Sequence, residues 1–322
     1  MRERNYNIDI LKGFAIISVV ILHTLSWDHR FIIGAPYHFW QAVPIFMLLV
    51  GYNLAMSSKI KGLMTYKDVY QWPFLKKRLK RILIPYLVIA LVRIILEIFV
   101  YEQFYLFESL LGALMGSFEH GGYYIPIMIQ AIFVTPLLYA FIQKNRTKNG
   151  LILLVSMFIL DWVVMLFEVS SGIYRILIVR YLFAIVLGIW FALIERPLNK
   201  KVLGFLASMS FIYITVVYYF GIETSLEQYW KAQHAPSYFW TLFIVALVLK
   251  VKPLKSGNVF HNTMIKLGQN SYHIFLVQMI YFWIIGLFNF SLSPILAVVV
   301  NLIICLIGGL WFKKIDDHLF RY

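Results

Sequence analysis

Residues 5–27 read NYNIDILKGFAIISVVILHTLSW, an apolar stretch long enough to cross a bilayer but interrupted by Asp9, Lys12 and His23. Each residue of an α-helix turns about 100°, so Lys12 and His23 lie within roughly 20° of each other around the axis. Asp9 lies within roughly 40° of His23 by the same geometry. Because ionisable groups inside a membrane usually face protein or a wet cavity, the stretch predicts a first membrane helix with one polar face.

Two interpretations of this polar face remain open. Asp9 and Lys12 lie near the start of the stretch, where the membrane interface of a simple anchor helix would also accommodate them. His23 lies deep in the second half of the stretch, where a structural role at the interface is less favoured. An imidazole has an ordinary pKa near neutrality, so His23 is a candidate general base.

The composition excludes a soluble protein. The chain has 322 residues, of which 61% are hydrophobic and 14% are charged, and it has a net charge of +14. Lys and Arg cluster in short gaps between apolar stretches, a pattern typical of membrane topology rather than of nucleic-acid binding. The single cysteine, Cys305, excludes an intramolecular disulfide and a metal site built from cysteines.

The sequence predicts an all-α polytopic membrane protein, with residues 1–322 as a single domain and no separate soluble domain. The even-numbered gaps and both ends are basic, which predicts that both termini are cytoplasmic. The odd-numbered gaps and their edges hold few basic residues besides Arg30, Arg175 and Lys231. The predicted bundle has about ten spans: Ile8–Ser26, His38–Ser57, Ile82–Tyr101, Tyr123–Gln143, Leu151–Phe167, Ile173–Ile194, Val202–Gly221, Tyr238–Leu249, Leu267–Phe288 and Pro294–Phe312.

A basic segment, Ser58–Arg81, is predicted to be a cytoplasmic loop before the third span. Arg78 and Arg81 at its end are three residues apart and would share a helix face. Guanidinium groups suit phosphate oxygens, so this arginine pair is a candidate site for a phosphate-bearing cofactor. Alternatively, these basic residues set the membrane topology and contact anionic lipids. For the neighbouring lysines this is the better interpretation.

Further polar residues lie at the predicted outer mouth and within the spans. Glu119 and His120 precede two glycines and Tyr123, and these three side chains are candidates for positioning a substrate hydroxyl, although exposed loop residues are more often simply solvated. The sequence has no metal-binding H-E-x-x-H pair, no Walker loop and no G-x-S-x-G motif. Within the spans we expect the ion pairs Arg93–Glu97 and Asp161–Arg180, and a helix start at Asn270–Ser271.

Five short motifs follow one another along nearly the whole chain: Asp9-Ile-Leu-Lys12-Gly13 with His23, Pro44–Tyr52, Arg78 and Arg81 before Pro85-Tyr86, Gly121–Ile125 with Pro136-Leu137-Leu138, and Gly268–Gln278. In this order, on a frame of about ten helices, they resemble the acyltransferase-3 family of integral-membrane acyltransferases. Three positions depart from the usual pattern of that family. Lys12 stands in place of an arginine, Val50 in place of a serine and Gln278 in place of a histidine.

The resemblance implies a membrane O-acyltransferase. Such an enzyme moves an acyl group, most often acetyl from acetyl-CoA, to a hydroxyl of an extracytoplasmic glycan or lipid-linked sugar. It implies His23 and Asp9 as catalytic residues, and Lys12, Arg78 and Arg81 as residues that bind CoA. The expected partners are acyl-CoA, the glycan acceptor and lipids of a bacterial plasma membrane, with no metal and no nucleic acid. The acyl group, the acceptor and the oligomeric state remain open.

Two other classes of function remain as alternatives. A polar face across ten helices would also suit a transporter or flippase for a polysaccharide or a lipid-linked precursor. Transporters often have two similar halves with broken helices, and no such repeat is visible in this sequence. A membrane-embedded sensor or scaffold is the third alternative, and it would tolerate the loss of His23.

Overall fold

The computed structural model describes residues 5–101, 103–116, 121–167, 169–195, 198–222, 233–251, 258–288 and 292–320. All regular structure within these ranges is helical, which confirms the predicted all-α fold. The α-helices are α1 (Tyr6–Thr24), α2 (Trp27–Ile32), α3 (Ala42–Ile60), α4 (Tyr66–Val69), α5 (Trp72–Val100), α6 (Leu106–Met115), α7 (Tyr124–Lys144), α8 (Arg146–Leu166), α9 (Ser171–Ile176), α10 (Val179–Leu193), α11 (Lys200–Tyr219), α12 (Tyr238–Lys250), α13 (Val259–Gln269), α14 (Ser271–Gly286) and α15 (Pro294–Leu319).

Many of these helices are long and apolar enough to cross a membrane. By length and composition, eight described segments qualify: Tyr6–Thr24, Ala35–Ile60, Trp72–Val100, Tyr124–Lys144, Arg146–Val164, Ser171–Leu193, Lys200–Tyr219 and Pro294–Leu319. Two shorter apolar helices, Ala235–Lys250 and Ser271–Gly286, overlap the predicted eighth and ninth spans. The chain is therefore a polytopic helical membrane protein. The number of spans and the side of each terminus stay predictions.

The basic segment before the third span differs from its prediction. Helix α5 begins at Trp72, so Arg78 and Arg81 lie on a long helix rather than at the end of a loop. Pro73 lies in the first turn, where its missing N–H costs no hydrogen bond. The Lys, Arg and Leu residues that follow are strong helix formers, and they extend the helix well before its apolar part.

The predicted ninth span is divided into two helices. Helix α13 ends at Gln269 and α14 begins at Ser271, with Asn270 between them in non-helical backbone. The amide of Asn270 donates a hydrogen bond to the carbonyl of Lys266 at 2.6 Å, which stabilises the end of α13. The prediction of a helix start at Asn270–Ser271 is therefore correct, and the predicted ninth span begins a few residues too early, at Leu267.

Helix α1 lies in the middle of the bundle, where it packs against α3, α13, α14 and α15. The contact with α13 is close because two glycines allow backbone to meet backbone. A Cβ atom on Gly13 would lie 2.5 Å from the carbonyl oxygen of Met264, and a Cβ on Gly268 would lie 1.7 Å from that of Asp9. At the start of α1, the side-chain amide of Asn7 donates to two carbonyl oxygens at the end of α12.

Helices α3 and α10 form a second close contact, and α10 is buried along nearly its whole length. Gly51 on α3 faces the backbone of Ile185, and Gly188 on α10 faces the backbone of Leu48. A Cβ atom on Gly188 would lie 2.0 Å from the carbonyl oxygen of Leu48. Small residues at such positions let membrane helices gain van der Waals contact along their whole length.

The predicted ion pair on α5 is confirmed. Arg93 donates to the carboxylate of Glu97 at 2.7 Å. The hydroxyl of Ser109 on α6 donates to the same carboxylate at 2.8 Å, and the Arg93 guanidinium lies 3.8 Å above the ring of Trp283 on α14. The pair therefore joins three helices, which is a structural role.

We expect Gly188→Ala to destabilise the protein because the added methyl group must push α3 away from α10. Overpacking of this kind typically costs about 1–3 kcal/mol. Gly204 on α11 is the matched control, since a Cβ atom there meets no atom within 4 Å and alanine favours helix. Thermal unfolding of the detergent-purified variants measures the difference, and equal unfolding temperatures for the two variants would contradict this packing.

Candidate functional site

A cavity of about 620 Å³ lies beside α1, with walls from α1, α3, α5, α7 and the α13–α14 junction. Pockets that bind small molecules and cofactors are typically about 300–1,000 Å³. Lys12 and His23 both line this cavity, so the two polar residues of α1 share one open space inside the bundle. They are about 16 Å apart along the helix axis at 1.5 Å per residue. The cavity is therefore elongated along α1.

One end of the cavity is cationic. Lys12, Arg78 and Arg81 line it, together with Gln269 and Tyr272 at the junction of α13 and α14. The hydroxyl of Tyr272 donates to the carbonyl of Ile82 at 2.7 Å, which ties α14 to the part of α5 that carries the arginines. The structure thus brings together three residues that are distant in the sequence. A concentration of cations with hydrogen-bond donors suits a phosphate group.

The other end of the cavity contains His23, one residue before the end of α1. The His23 ring packs 5.9 Å from the ring of Phe282, measured between centroids. Gly121 lies beside it with φ of +106°, and a Cβ atom there would lie 4.0 Å from His23 Nε2 and 3.0 Å from Phe275. Only glycine adopts this backbone conformation readily. Gly121 therefore keeps space open next to the imidazole.

Of the predicted site residues Asp9 and Tyr123, only Tyr123 lies in the cavity wall. Tyr123 lines the cavity near Gly121. Asp9 is buried at the contact between α1 and α13, where Gln269 donates to its carboxylate at 3.4 Å, and it lies outside the cavity wall. This geometry gives Asp9 a packing position with no direct access to a substrate in the cavity. Glu119 and His120 lie outside the described residues.

The wall between the two ends is mainly apolar. Phe46, Leu49 and Val50 contribute from α3, and Met128 and Ile132 contribute from α7. An elongated molecule with a charged head and a less polar arm therefore fits the cavity lengthwise. Its head would lie by the cations, and the end of its arm would lie by His23.

Among the lining residues that were not predicted as site residues are Arg30, Arg175 and Gln233. They come from segments far apart in the chain, so no local pattern joins them. One signal was available, because Arg30 and Arg175 stand out as basic residues in gaps that are otherwise poor in positive charge. Lys231, the third such residue, lies outside the described residues.

A buried polar network supports the segment that carries Arg175. Tyr174 and His234 both hydrogen-bond to Asp161, with the Asp161–His234 contact at 3.0 Å. Arg180 donates to Gln233. The predicted Asp161–Arg180 pair is therefore wrong, because closer partners from other segments bind both side chains.

Two polar residues of α14, His273 and Gln278, are buried in the bundle and lie outside the cavity wall. His273 Nε2 lies 2.9 Å from the carboxylate of Asp316 on α15. Within the described part of the chain, no group of three or more His, Cys, Asp or Glu side chains is arranged to hold a metal ion. Of the described histidines, His23 lines the cavity.

Comparison with known proteins gives one match. The family model described as an acyltransferase domain, the acyltransferase-3 family, matches residues 5–314. No curated protein and no solved structure matches the chain.

We expect Tyr174→Phe to destabilise the protein because it removes the hydroxyl that donates to buried Asp161. Leaving a buried acceptor without its donor costs about 1–3 kcal/mol. Tyr66→Phe is the matched control, since Tyr66 is exposed on the short helix α4. Thermal unfolding in detergent tests this role, which would be refuted if both variants unfolded at the wild-type temperature.

Proposed function

Because the chain belongs to the acyltransferase-3 family of membrane acyltransferases, we propose that it transfers an acyl group, preferentially acetyl, from acyl-CoA to a glycan hydroxyl. The acceptor is a hydroxyl of an extracytoplasmic glycan or a lipid-linked sugar, and the enzyme acts in a bacterial plasma membrane. One observation carries this proposal: a single cavity is lined by His23 at one end and by the pair Arg78 and Arg81 at the other.

The cationic end suits the donor. CoA carries several phosphate groups at one end and a thioester at the end of an extended arm. Arg78, Arg81 and Lys12 supply three positive charges for the phosphates. The arm then passes the apolar wall around Val50, and the thioester reaches the neighbourhood of His23. The basic gaps of the sequence favour a cytoplasmic position for the arginine end, where acyl-CoA is available.

The proposed role of the His23 imidazole is proton transfer. As the acceptor hydroxyl attacks the thioester carbonyl, His23 accepts the hydroxyl proton and a new C–O bond forms. The C–S bond then breaks, and the imidazolium returns the proton to the departing thiolate. The products are the ester and the free thiol of CoA, so the reaction balances without water, metal or a redox partner. Transfer through an acyl-imidazole on His23 would use the same atoms in two steps.

We expect His23→Ala to lower acyl transfer by about 10²–10⁴-fold, because a general base is lost. The variant should keep its unfolding temperature and its affinity for CoA, since His23 lies at the end of the cavity far from Arg78 and Arg81. Transfer of radiolabelled acetyl from acetyl-CoA in membranes measures the effect. His29→Ala, at an exposed histidine on α2, is the control and should retain activity. Wild-type transfer by the His23→Ala variant would remove His23 from the mechanism.

We expect Arg78→Gln and Arg81→Gln each to weaken CoA binding by about 10-fold or more, because a charge-assisted hydrogen bond contributes about 1.5–3 kcal/mol. Calorimetric titration of the purified variants with CoA measures the affinity. Lys80→Gln is the control, since Lys80 is exposed on the same helix. An unchanged affinity in both arginine variants, or an equal loss in the lysine variant, would argue against a specific phosphate site.

A further inference from the structure

The cavity has a second group of cations, at the end that contains His23. Arg30 and Arg175 both line this end, and the donor phosphates of the proposed reaction lie at the opposite end. Arg30 lies in a gap, and Arg175 at the edge of another, in which the sequence places little other positive charge. The positive-inside pattern therefore does not account for them, and their position in the cavity wall requires its own explanation.

Arg30 is fixed close to His23. Its Nε donates to the carbonyl of Leu25 at 2.8 Å, and Leu25 is the residue that caps the end of α1. Its guanidinium carbon lies 6.0 Å from the centre of the Trp27 ring. The side chain of Arg30 is partly buried, and burial lowers its pKa from the ordinary value because the charged form loses hydration. Its terminal nitrogens have no further hydrogen bond to a described residue and remain as donors for a ligand.

Arg175 reaches the same end from α9. Its guanidinium carbon lies 5.1 Å from the centre of the Tyr123 ring, and Tyr123 follows the segment that begins with Gly121 beside His23. Its buried Nε has no hydrogen-bond partner among the described residues. The hydrogen bond from Tyr174 to Asp161 fixes the residue before Arg175, and this restricts the position of the arginine.

The surroundings of these arginines favour an anion. None of the described residues that line the cavity is acidic. A neutral sugar hydroxyl needs hydrogen-bond partners, which Gln233 and Tyr123 supply at this end, but it does not need two partly dehydrated guanidinium groups. Guanidinium groups bind phosphate and carboxylate oxygens with two parallel hydrogen bonds.

We propose that Arg30 and Arg175 bind an oxyanion of the acceptor, a phosphate or a carboxylate, so that the acceptor is an acidic glycan. This inference rests on the proposed acyl transfer and specifies its substrate class. It also gives the two ends of the cavity separate tasks. The arginines of α5 bind the donor, and Arg30 and Arg175 bind the acceptor.

The first experiment identifies the glycan that carries the ester. Envelope glycans from cells with and without the gene are separated by anion exchange, and base-labile acyl esters in each fraction are measured by mass spectrometry. We expect the gene-dependent ester in the bound, acidic fraction, where fragment masses distinguish a phosphate from a carboxylate. A gene-dependent ester in the unbound, neutral fraction would overturn the inference and leave the acyltransferase proposal intact. Absence of any gene-dependent ester would contradict the acyltransferase proposal itself.

The second experiment tests the two arginines. Arg30→Gln and Arg175→Gln, each in the full-length chain, should lower the ester on the acidic fraction by about 10-fold or more, since each removes a charge-assisted contact. Their affinity for CoA, measured by titration, should equal that of the wild type. Arg175→Lys keeps the charge but loses the paired hydrogen bonds. Its activity should therefore fall between that of the wild type and that of Arg175→Gln. Arg146→Gln is the control. Arg146 forms an ion pair with Glu195 at 2.9 Å, and neither residue lines the cavity.

Two results of this second experiment would overturn the inference. One is full acylation of the acidic glycan by both glutamine variants. The other is a parallel loss of CoA affinity with an unchanged unfolding temperature, which would assign both arginines to the donor. If Arg175→Gln fails to fold, Arg30→Gln and the Arg175→Lys variant provide the test, together with the fractionation of the wild-type product.

Discussion

The cost of exposing Lys12 and His23 to hydrocarbon is the constraint on which the rest of the structure depends. Both residues lie on α1, a helix that is otherwise apolar and packed in the middle of the bundle. The bundle keeps both side chains away from lipid by leaving a cavity along one face of this helix. Because α1 is continuous between them, the space extends over about 16 Å at 1.5 Å per residue. Because Lys12 and His23 lie on one helix, the cavity has an amine at one end and an imidazole at the other.

The close contacts elsewhere in the bundle keep this space open. Glycines such as Gly268 and Gly188 bring neighbouring backbones together, so helix pairs on the other sides of the cavity have little freedom to move. Some polar residues outside the cavity, such as Asp161 and His273, have hydrogen-bond partners within the bundle and join neighbouring helices. In the cavity wall, the buried Nε of Arg175 has no hydrogen-bond partner among the described residues.

The sequence predicts what a single helix determines, and it predicts less well what depends on contacts between distant segments. Helical periodicity placed Lys12 and His23 on one side of α1, and both line the cavity. The Asp161–Arg180 pair was wrong because spacing along the chain does not reveal partners such as His234, which reaches Asp161 from another segment. The loop predicted before the third span was wrong because charged residues were taken as a sign of a loop, although Lys and Arg are also good helix formers.

In the proposed reaction both substrates are anions, and two anions in a cavity of low dielectric constant repel each other strongly. Separate cationic groups at the two ends remove this repulsion. Arg78 and Arg81 neutralise the donor, Arg30 and Arg175 neutralise the acceptor, and the reacting carbonyl and hydroxyl meet beside His23. The same arrangement selects the acceptor. A neutral glycan that entered would leave two partly dehydrated guanidinium groups without an anion, and sites built around a polar partner reject analogues that lack it far more strongly than apolar pockets do. Acceptor specificity would therefore come mainly from the free-energy cost of leaving the two guanidinium groups without an anion. The attraction between these groups and an acidic acceptor would contribute less.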